Sequence, residues 1–475
     1  MNGGDKMPEN VQPKENILGT EKIGRLLLKF SIPGVISMLV NSIYNIVDQI
    51  FIGQGVGYLG NAATNIVYLF VILQLGIALL ISAGSVANMS LNLGRKRRDI
   101  AEKVIGNAVS LAIVCGILIL LVGEIFNTPI LRFFGSTDTI LPYAIDYSRI
   151  YLLGIPFTTV SIVLNDMIRA DGAPGYSMFC MLCGAIANTI LDPIFIFVFK
   201  WGVQGAAFAT ILGQILTFVL CLIRLPRLKT VTFHKKNLLF DLEICKMIVT
   251  LGFSACINQI TMMLVQIVLN KTIVKYGAQS IYGADIPLTC FGIVMKVNQI
   301  VMSIVLGICS STQPLFGYNF GAKYYKRVLK IFKYACIAVS TIGILGCALI
   351  QIFPEYIVAL FGQENDLYNE FAVNAFHIMT LFMFVMGFQI LTSMYFQAVG
   401  KPKYAIILSL SRQFLFLLPC ILILPLFFGL NGILLSYPTS DIISIMLALI
   451  LFSIEYRKLK HLIKTEDCTP EGVSY

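Results

Sequence analysis

Long apolar runs recur along the whole 475-residue chain, with polar segments between them. Each run is long enough to cross a bilayer as a helix, which takes about 20 apolar residues. The runs predict spans near 28–52, 61–88, 101–124, 143–165, 177–199 and 203–224, then near 247–270, 286–311, 331–353, 371–396, 403–427 and 431–454. The pattern therefore predicts an all-α integral membrane protein with twelve transmembrane helices in two sets of six.

Polar side chains interrupt the first span along one helical face. Asn41, Tyr44, Asn45 and Asp48 follow Ser37 at intervals of three, four or seven residues, which places all five on one stripe. Hydrogen bonds between helices explain many Asn and Ser residues in membranes. They do not explain a carboxylate, so Asp48 is predicted to be functional.

The fifth span carries an Asp-Pro pair in the stretch "NTILDPIFIF". Asn188 precedes Asp192 by four residues, so both side chains point the same way. Pro193 has no N–H, and the carbonyl of Thr189 loses its helical partner. A carboxylate, an amide oxygen and a freed carbonyl suit Na+, and the acid could also hold a proton. A kinked helix with a satisfied Asp is the structural alternative.

A third polar stripe lies in the sixth span, at Thr210, Gln214 and Thr217. The three stripes could converge on one internal cavity. Two carboxyl groups in such a low-dielectric cavity would repel each other, so Asp48 and Asp192 could together exchange a proton with water.

The second half of the chain has amides where the first half has acids. Gln259, Gln266, Lys296 and Gln389 are candidate cavity residues, together with Asn41, Asn45 and Gln214 of the first half. Lys296 could either answer a carboxylate or face a cavity. His377 and Asp441 have no assigned role, and Arg412 could lie near the cytoplasmic end of its span.

The two halves repeat each other. "RADGAPGY" at 169–176 aligns with "QAVGKPKY" at 397–404, and "WGVQGAAFATILGQ" at 201–214 aligns with "FGLNGILLSYPTSD" at 428–441, at offsets of 228 and 227. An even number of spans in each half makes the repeats parallel, and transporters built this way place the substrate between their halves. Major-facilitator carriers share this arrangement, although their local signatures are not visible.

Basic residues fall mainly in the loops of one face, in segments such as "GRKRRDIAEK" and "GAKYYKRVLK". The positive-inside rule therefore predicts that both termini are cytoplasmic. The net charge of +10 follows from this asymmetry and needs no nucleic acid to explain it. The first 24 residues are polar, so no cleavable signal peptide is expected.

The composition excludes several classes of protein. Hydrophobic residues make up 57% of the chain and charged residues only 13%, too little charge for a soluble protein of this size. There is no phosphate loop, metal-ligand cluster, GxSxG motif or soluble ATP-binding domain, so an enzyme is not expected. An ion gradient would then supply the energy.

The stretch ending at Asp48, "NSIYNIVDQIFIGQG", the loops "GRKRRD" and "FGAKYY", and the segments "LDPIFIF" and "GVQGAAFAT" resemble the multidrug and toxic compound extrusion (MATE) family. The likeness covers roughly 25–455 and is closest to bacterial MepA-type members. It implies two pseudo-symmetric six-helix lobes in a V and export of lipophilic cations in exchange for H+ or Na+.

The resemblance also implies where the coupling ion binds. The N-lobe cation site of the family falls on Asp48, Asn188, Asp192 and Thr210, with Tyr44 one turn from Asp48. This chain departs from the branch that has acids in the C-lobe, because Gln259 stands where an acid would be expected. Coupling through the N-lobe alone is therefore favoured.

The expected organisation follows. An N-terminal segment (1–24), an N-lobe (25–224), a linker (225–246), a C-lobe (247–455) and a tail (456–475) are predicted, with both tails and the linker cytoplasmic. A monomer in the bacterial cytoplasmic membrane is expected, with lipophilic cations and membrane lipids as partners. A lipid or lipid-linked oligosaccharide flippase is the alternative, and a non-transporting receptor or channel component is a third.

Overall fold

The computed structural model describes residues 17–283, 285–361 and 366–467, and their regular structure is helical. The predicted tail beyond 467 and most of the predicted N-terminal segment lie outside the described residues. Eleven helices are long and apolar enough to cross a membrane, and a pair bent by 45° makes a twelfth span. The prediction of twelve spans is confirmed.

Each half contributes six spans, whose ends lie several residues beyond the apolar runs. The N-lobe comprises α1 (Ile23–Val56), α2 (Tyr58–Gly94), α3 (Arg98–Ile125), α4 (Leu141–Ala170), α5 (Pro174–Pro193) and α6 (Gly202–Arg224). The C-lobe comprises α7 (Leu242–Gly277), α8 (Asp285–Gly321), α9 (Tyr325–Ile352), α10 (Asp366–Met379 and Met383–Ala398), α11 (Pro402–Phe428, with a π-helical middle) and α12 (Leu430–Asp467). Short helices Ile17–Thr20, Asn127–Phe133 and Pro354–Phe361 accompany them.

The backbone repeats at the offset read from the sequence. Lys96 and Lys323, 227 residues apart, both adopt φ of 62°, a left-handed conformation that lysine seldom takes. Gly202 and Gly429, also 227 residues apart, have φ of 56° and 55°. The same two loops therefore recur with the same turn geometry in each lobe.

The lobes contact each other at the end that carries the basic loops. Asn88 donates to the carbonyl of Met247 over 3.0 Å, and Gln313 donates to the carbonyl of Ala83 over 3.3 Å. Close approach of α2 and α7 depends on glycine, because a Cβ on Gly84 would overlap the carbonyl oxygen of Ile248.

A hydrogen bond of 2.5 Å between Ser42 and Ser303 joins the lobes nearer their middle. Towards the opposite end, polar side chains such as Asn45, Gln266 and Lys296 are exposed. The two lobes thus close on one side and leave an open space on the other.

The segment between the lobes is fastened to the N-lobe. Ser110 of α3 donates to the carbonyl of Leu238 over 2.7 Å, and Asp171 accepts from the backbone N–H of Thr230 over 2.7 Å. Asp241 then caps α7, accepting from the N–H groups of Glu243 and Ile244.

Candidate ion and substrate site in the N-lobe

The Asp-Pro pair marks the end of regular α-helix in the fifth span. Helix α5 ends at Pro193, and a π-helical segment, Ile194–Val198, continues it. Proline removes a backbone donor, and a wider helical turn adjusts the hydrogen bonding around it. Segments of π-helix are rare and recur at functional sites. The kink therefore places Asp192 where the regular backbone pattern changes.

Three of the predicted residues meet beside this kink. Asp192 is completely buried and Asn188 is 3% exposed. Asn188 Nδ2 lies 3.3 Å from Asp192 Oδ1 and 3.4 Å from Thr210 Oγ1, so it donates towards both. Helices α5 and α6 thus supply one wall of a polar pocket.

Helix α1 supplies the opposite wall. The carboxyl groups of Asp48 and Asp192 face each other at short range, and Tyr44 lies beside both of them. Because like charges at short range disfavour double ionisation, this pair is most stable when a proton or a cation lies between the two acids.

Several oxygens in this pocket lack hydrogen-bond partners. Asp48 Oδ1, Asn188 Oδ1 and Asp192 Oδ2 are buried and accept no hydrogen bond from the part of the chain that the structure describes. Leaving a buried polar atom unpaired is costly. Carboxylate and amide oxygens are donors that hard cations prefer, and a carboxylate can equally take a proton. The donor set therefore fits either H+ or Na+.

Tyrosines that the sequence reasoning did not single out complete the pocket. Tyr147 and Tyr151 of α4 stack with ring centroids 6.2 Å apart, and Tyr147 lies near both acids. Tyr68 of α2 lies close to Tyr44. The i, i+4 spacing of Tyr147 and Tyr151 was the available signal. Aromatic faces beside carboxylates suit organic cations.

The sixth-span stripe divides between two environments. Gln214 accepts a hydrogen bond from Thr158 and lies within reach of Tyr151, at the edge of the pocket. Thr217 instead donates to the carbonyl oxygens of Cys180 and Gly213, over 3.3 and 3.1 Å. Only the first two members of the stripe, Thr210 and Gln214, therefore approach the pocket.

Asn41 and Asn45, on the face of α1, are linked to each other. Asn45 Nδ2 donates to the carbonyl oxygen of Asn41 over 2.7 Å and to its side-chain oxygen over 3.0 Å. Asn45 is exposed and Asn41 is half-buried, so this pair lies on the α1 surface one to two turns before Asp48.

The predicted C-lobe cavity residues are dispersed. Gln259 packs near Gly76 of α2, while Gln266 is exposed and donates to Asn270 over 3.0 Å. Gln389 is buried and donates to the carbonyl of Leu408 over 2.8 Å, which ties α10 to α11. A role of these residues in substrate binding stays a prediction.

The unassigned C-lobe residues have distinct surroundings. Lys296 is exposed, which favours the interpretation that it faces open space. His377 is exposed and its Nδ1 lies 2.8 Å from Gln351 Oε1. Arg412, which the sequence allowed at a cytoplasmic end, instead forms an ion pair of 2.9 Å with Asp441 inside the lobe.

A two-lobed helical bundle with unpaired carboxylates buried inside one lobe defines a membrane transporter. The MatE family model matches residues 33–194 and 254–423, more than half of the chain. The chain therefore belongs to the MatE family, whose members are transporters and not enzymes.

Full-length relatives point the same way. The chain is 25% identical over 429 residues to the multidrug export protein MepA of Staphylococcus aureus strain MSSA476, covering 90% of this chain and 93% of that protein. It is 24% identical over 427 residues to the multidrug export protein MepA of Staphylococcus saprophyticus, covering 90% and 92%.

Solved structures share the fold. An outward-facing multidrug resistance MATE family transporter of the MOP superfamily superposes with a TM-score of 0.87 at 22% identity, covering 94% of this chain and 98% of that chain. A MOP superfamily transporter from Pyrococcus furiosus gives the same values. The prediction of a two-lobed fold of the MATE type is confirmed.

Proposed function

We propose that this protein is a secondary active efflux transporter that exports lipophilic cations in exchange for H+ or Na+. The observation that carries the proposal is the set of three buried oxygens without partners, on Asp48, Asn188 and Asp192. A set of oxygens with a negative charge and no protein donor needs a cation, and the pocket offers it one.

The coupling follows from competition for the same carboxylates. An ion bound between Asp48 and Asp192 neutralises them, and a neutral pocket loses its attraction for a cationic drug. Ion and drug therefore favour different states, which is the requirement for exchange. The tyrosine faces around the acids supply the apolar, polarisable surface for an organic cation.

The orientation proposed here places the basic loops in the cytoplasm. The lobes are closed at that end and open at the other, so the described conformation would expose the pocket to the outside. Binding of the ion from outside would then accompany release of the drug. Both termini are cytoplasmic in this orientation, and one chain forms the transport unit.

Dye efflux from proteoliposomes under separately imposed pH and Na+ gradients tests the proposal. Asp48→Asn and Asp192→Asn are each expected to reduce ethidium-type efflux at least tenfold, because each removes a charge from the pocket. The matched control is Asp138→Asn, since the Asp138 side chain is 87% exposed and lies outside the pocket.

Efflux that continues unchanged in both pocket variants would refute the proposed coupling. Efflux that responds to neither gradient would refute exchange. Movement of a fluorescent lipid between leaflets, with no dye transport, would indicate a flippase instead.

A further inference from the structure

The C-lobe contains a buried ion pair of its own. Arg412 lies at the second residue of the π-helical segment Ser411–Leu417 in α11, and its Nε donates to Asp441 Oδ1 of α12 over 2.9 Å. The Asp441 side chain is 2% exposed and the Arg412 side chain 14% exposed. Both charges are therefore held away from bulk water.

The surroundings of this pair are weakly polar. Arg412 Nη2 donates to the sulfur of Met386 over 3.5 Å, and Tyr437, one turn before Asp441, lies 4.0 Å from the sulfur of Met295 through its hydroxyl. In the described ranges, Arg412 is the cation within ion-pair distance of Asp441. The arginine alone thus neutralises this carboxylate.

The repeat gives the pair its meaning. Asp441 occupies the position that Gln214 holds in the N-lobe, 227 residues earlier, and Gln214 borders the carboxylate pocket there. Both lobes therefore place an acid in or next to the repeated interior position. In the N-lobe the acids have no basic partner among the ion pairs of the described residues, whereas in the C-lobe the acid has Arg412.

We infer that Arg412 is a tethered cation that occupies the C-lobe carboxylate and thereby confines ion coupling to the N-lobe. The guanidinium takes the place that a transported ion would otherwise fill. Because the arginine is covalently attached, this charge does not leave during the cycle. The inference rests on the proposed function, since it assigns how many ions the transporter exchanges.

Removal of Arg412 makes the inference testable. A buried carboxylate that loses its partner is left uncompensated, a state that strongly favours uptake of another cation. Arg412→Gln, and Arg412→Met with a stem of similar volume, should therefore create a second site for H+ or Na+. Arg412→Lys keeps the charge, and the double variant Arg412→Gln/Asp441→Asn removes both charges.

The measurement is the number of ions bound per purified protein, from titration calorimetry with Na+ and from proton uptake after a pH step. Arg412→Gln and Arg412→Met are expected to bind one ion more than the unsubstituted protein. The Arg412→Lys protein and the double variant are expected to match the unsubstituted protein.

An unchanged count in both neutral variants would overturn the inference. So would a lower count in Asp441→Asn, because Asp441 would then hold an ion in the unsubstituted protein; this arm needs no protein lacking Arg412. Failure of the proposed function gives a different result, in which Asp48→Asn and Asp192→Asn leave the count unchanged.

Discussion

Asn188 shows how one side chain organises the pocket. Its Nδ2 lies between Asp192 and Thr210, while its Oδ1 remains unpaired beside the two acids. The amide thus orients the carboxylate and also offers an oxygen to an ion. Neutral amides can do both because they carry a donor and an acceptor on one group.

Replacing Asn188 should weaken ion binding more than folding. Asn188→Ala removes a donor to Asp192 and one ligand oxygen, and a hydrogen bond to a charged group contributes about 1.5–3 kcal/mol. We expect the apparent affinity for the coupling ion to fall about tenfold or more, measured as the ion concentration that half-saturates dye efflux.

The adjacent residue provides the control. Thr189 Oγ1 donates to the carbonyl of Ala185 over 2.9 Å, away from the acids. Thr189→Ala should leave the half-saturating concentration unchanged, and equal shifts in the two variants would contradict the role given to Asn188.

The residue scale also shows what the sequence could predict. Asp48, Asn188, Asp192 and Thr210 were identified because polar residues at helical spacing stand out in apolar runs. Tyr147 and Tyr151 were missed, because a tyrosine in a membrane span is equally consistent with packing. The partner of Arg412 was missed because pairing between α11 and α12 depends on how two helices face each other.

At the scale of elements, the crossing of α2 and α7 limits how the lobes can close. A Cβ on Gly252 would overlap the carbonyl oxygen of Leu80, as a Cβ on Gly84 would overlap that of Ile248. The sequence predicted both helices from their length and hydropathy. It could not predict this contact, because glycines also occur in spans for other reasons.

Enlarging Gly84 should prevent closure at the basic end. Gly84→Val is expected to separate the lobes there, lower dye efflux at least tenfold, and increase the distance between labels on the loops at 95–97 and 322–324 in fluorescence energy transfer. The control is Gly76→Ala in the same helix, where an added Cβ would meet its nearest neighbour at 3.7 Å, an ordinary contact. Equal label distances in the Gly84→Val and unsubstituted proteins would contradict this account.

The start of α7 is a second element with a defined anchor. Asp241 accepts from two backbone N–H groups and lies 3.3 Å from Lys103 of α3. The backbone N–H of Ile244, and then Lys103, hold the pKa of Asp241 below its ordinary value. The stabilisation is therefore present at neutral pH and is lost only as the pH falls through that lowered pKa.

Asp241→Ala should lower the Tm measured in detergent, because it removes both the cap and the link to α3. Glu243→Ala, two residues further on, keeps the cap and should have a smaller effect. A Tm equal to that of the unsubstituted protein in Asp241→Ala would show that this anchor contributes nothing.

At the scale of the whole molecule, two lobes of similar backbone have unlike charges. The turns at Lys96 and Lys323 coincide under the repeat, yet the acids of the N-lobe are unpaired and the acid of the C-lobe is bound to arginine. The repeat explains the fold, which the sequence could predict from its offset of 227. The charge asymmetry assigns one lobe to the ion.

The central claim is that drug and coupling ion compete for the carboxylates of Asp48 and Asp192. It is tested most directly by the ions released when a lipophilic cation binds to the purified protein, followed with a pH indicator and a Na+ electrode. The account predicts release of about one H+ or Na+ per bound drug, and none in the Asp48→Asn/Asp192→Asn double variant. Tight drug binding to the unsubstituted protein without release of either ion would contradict it.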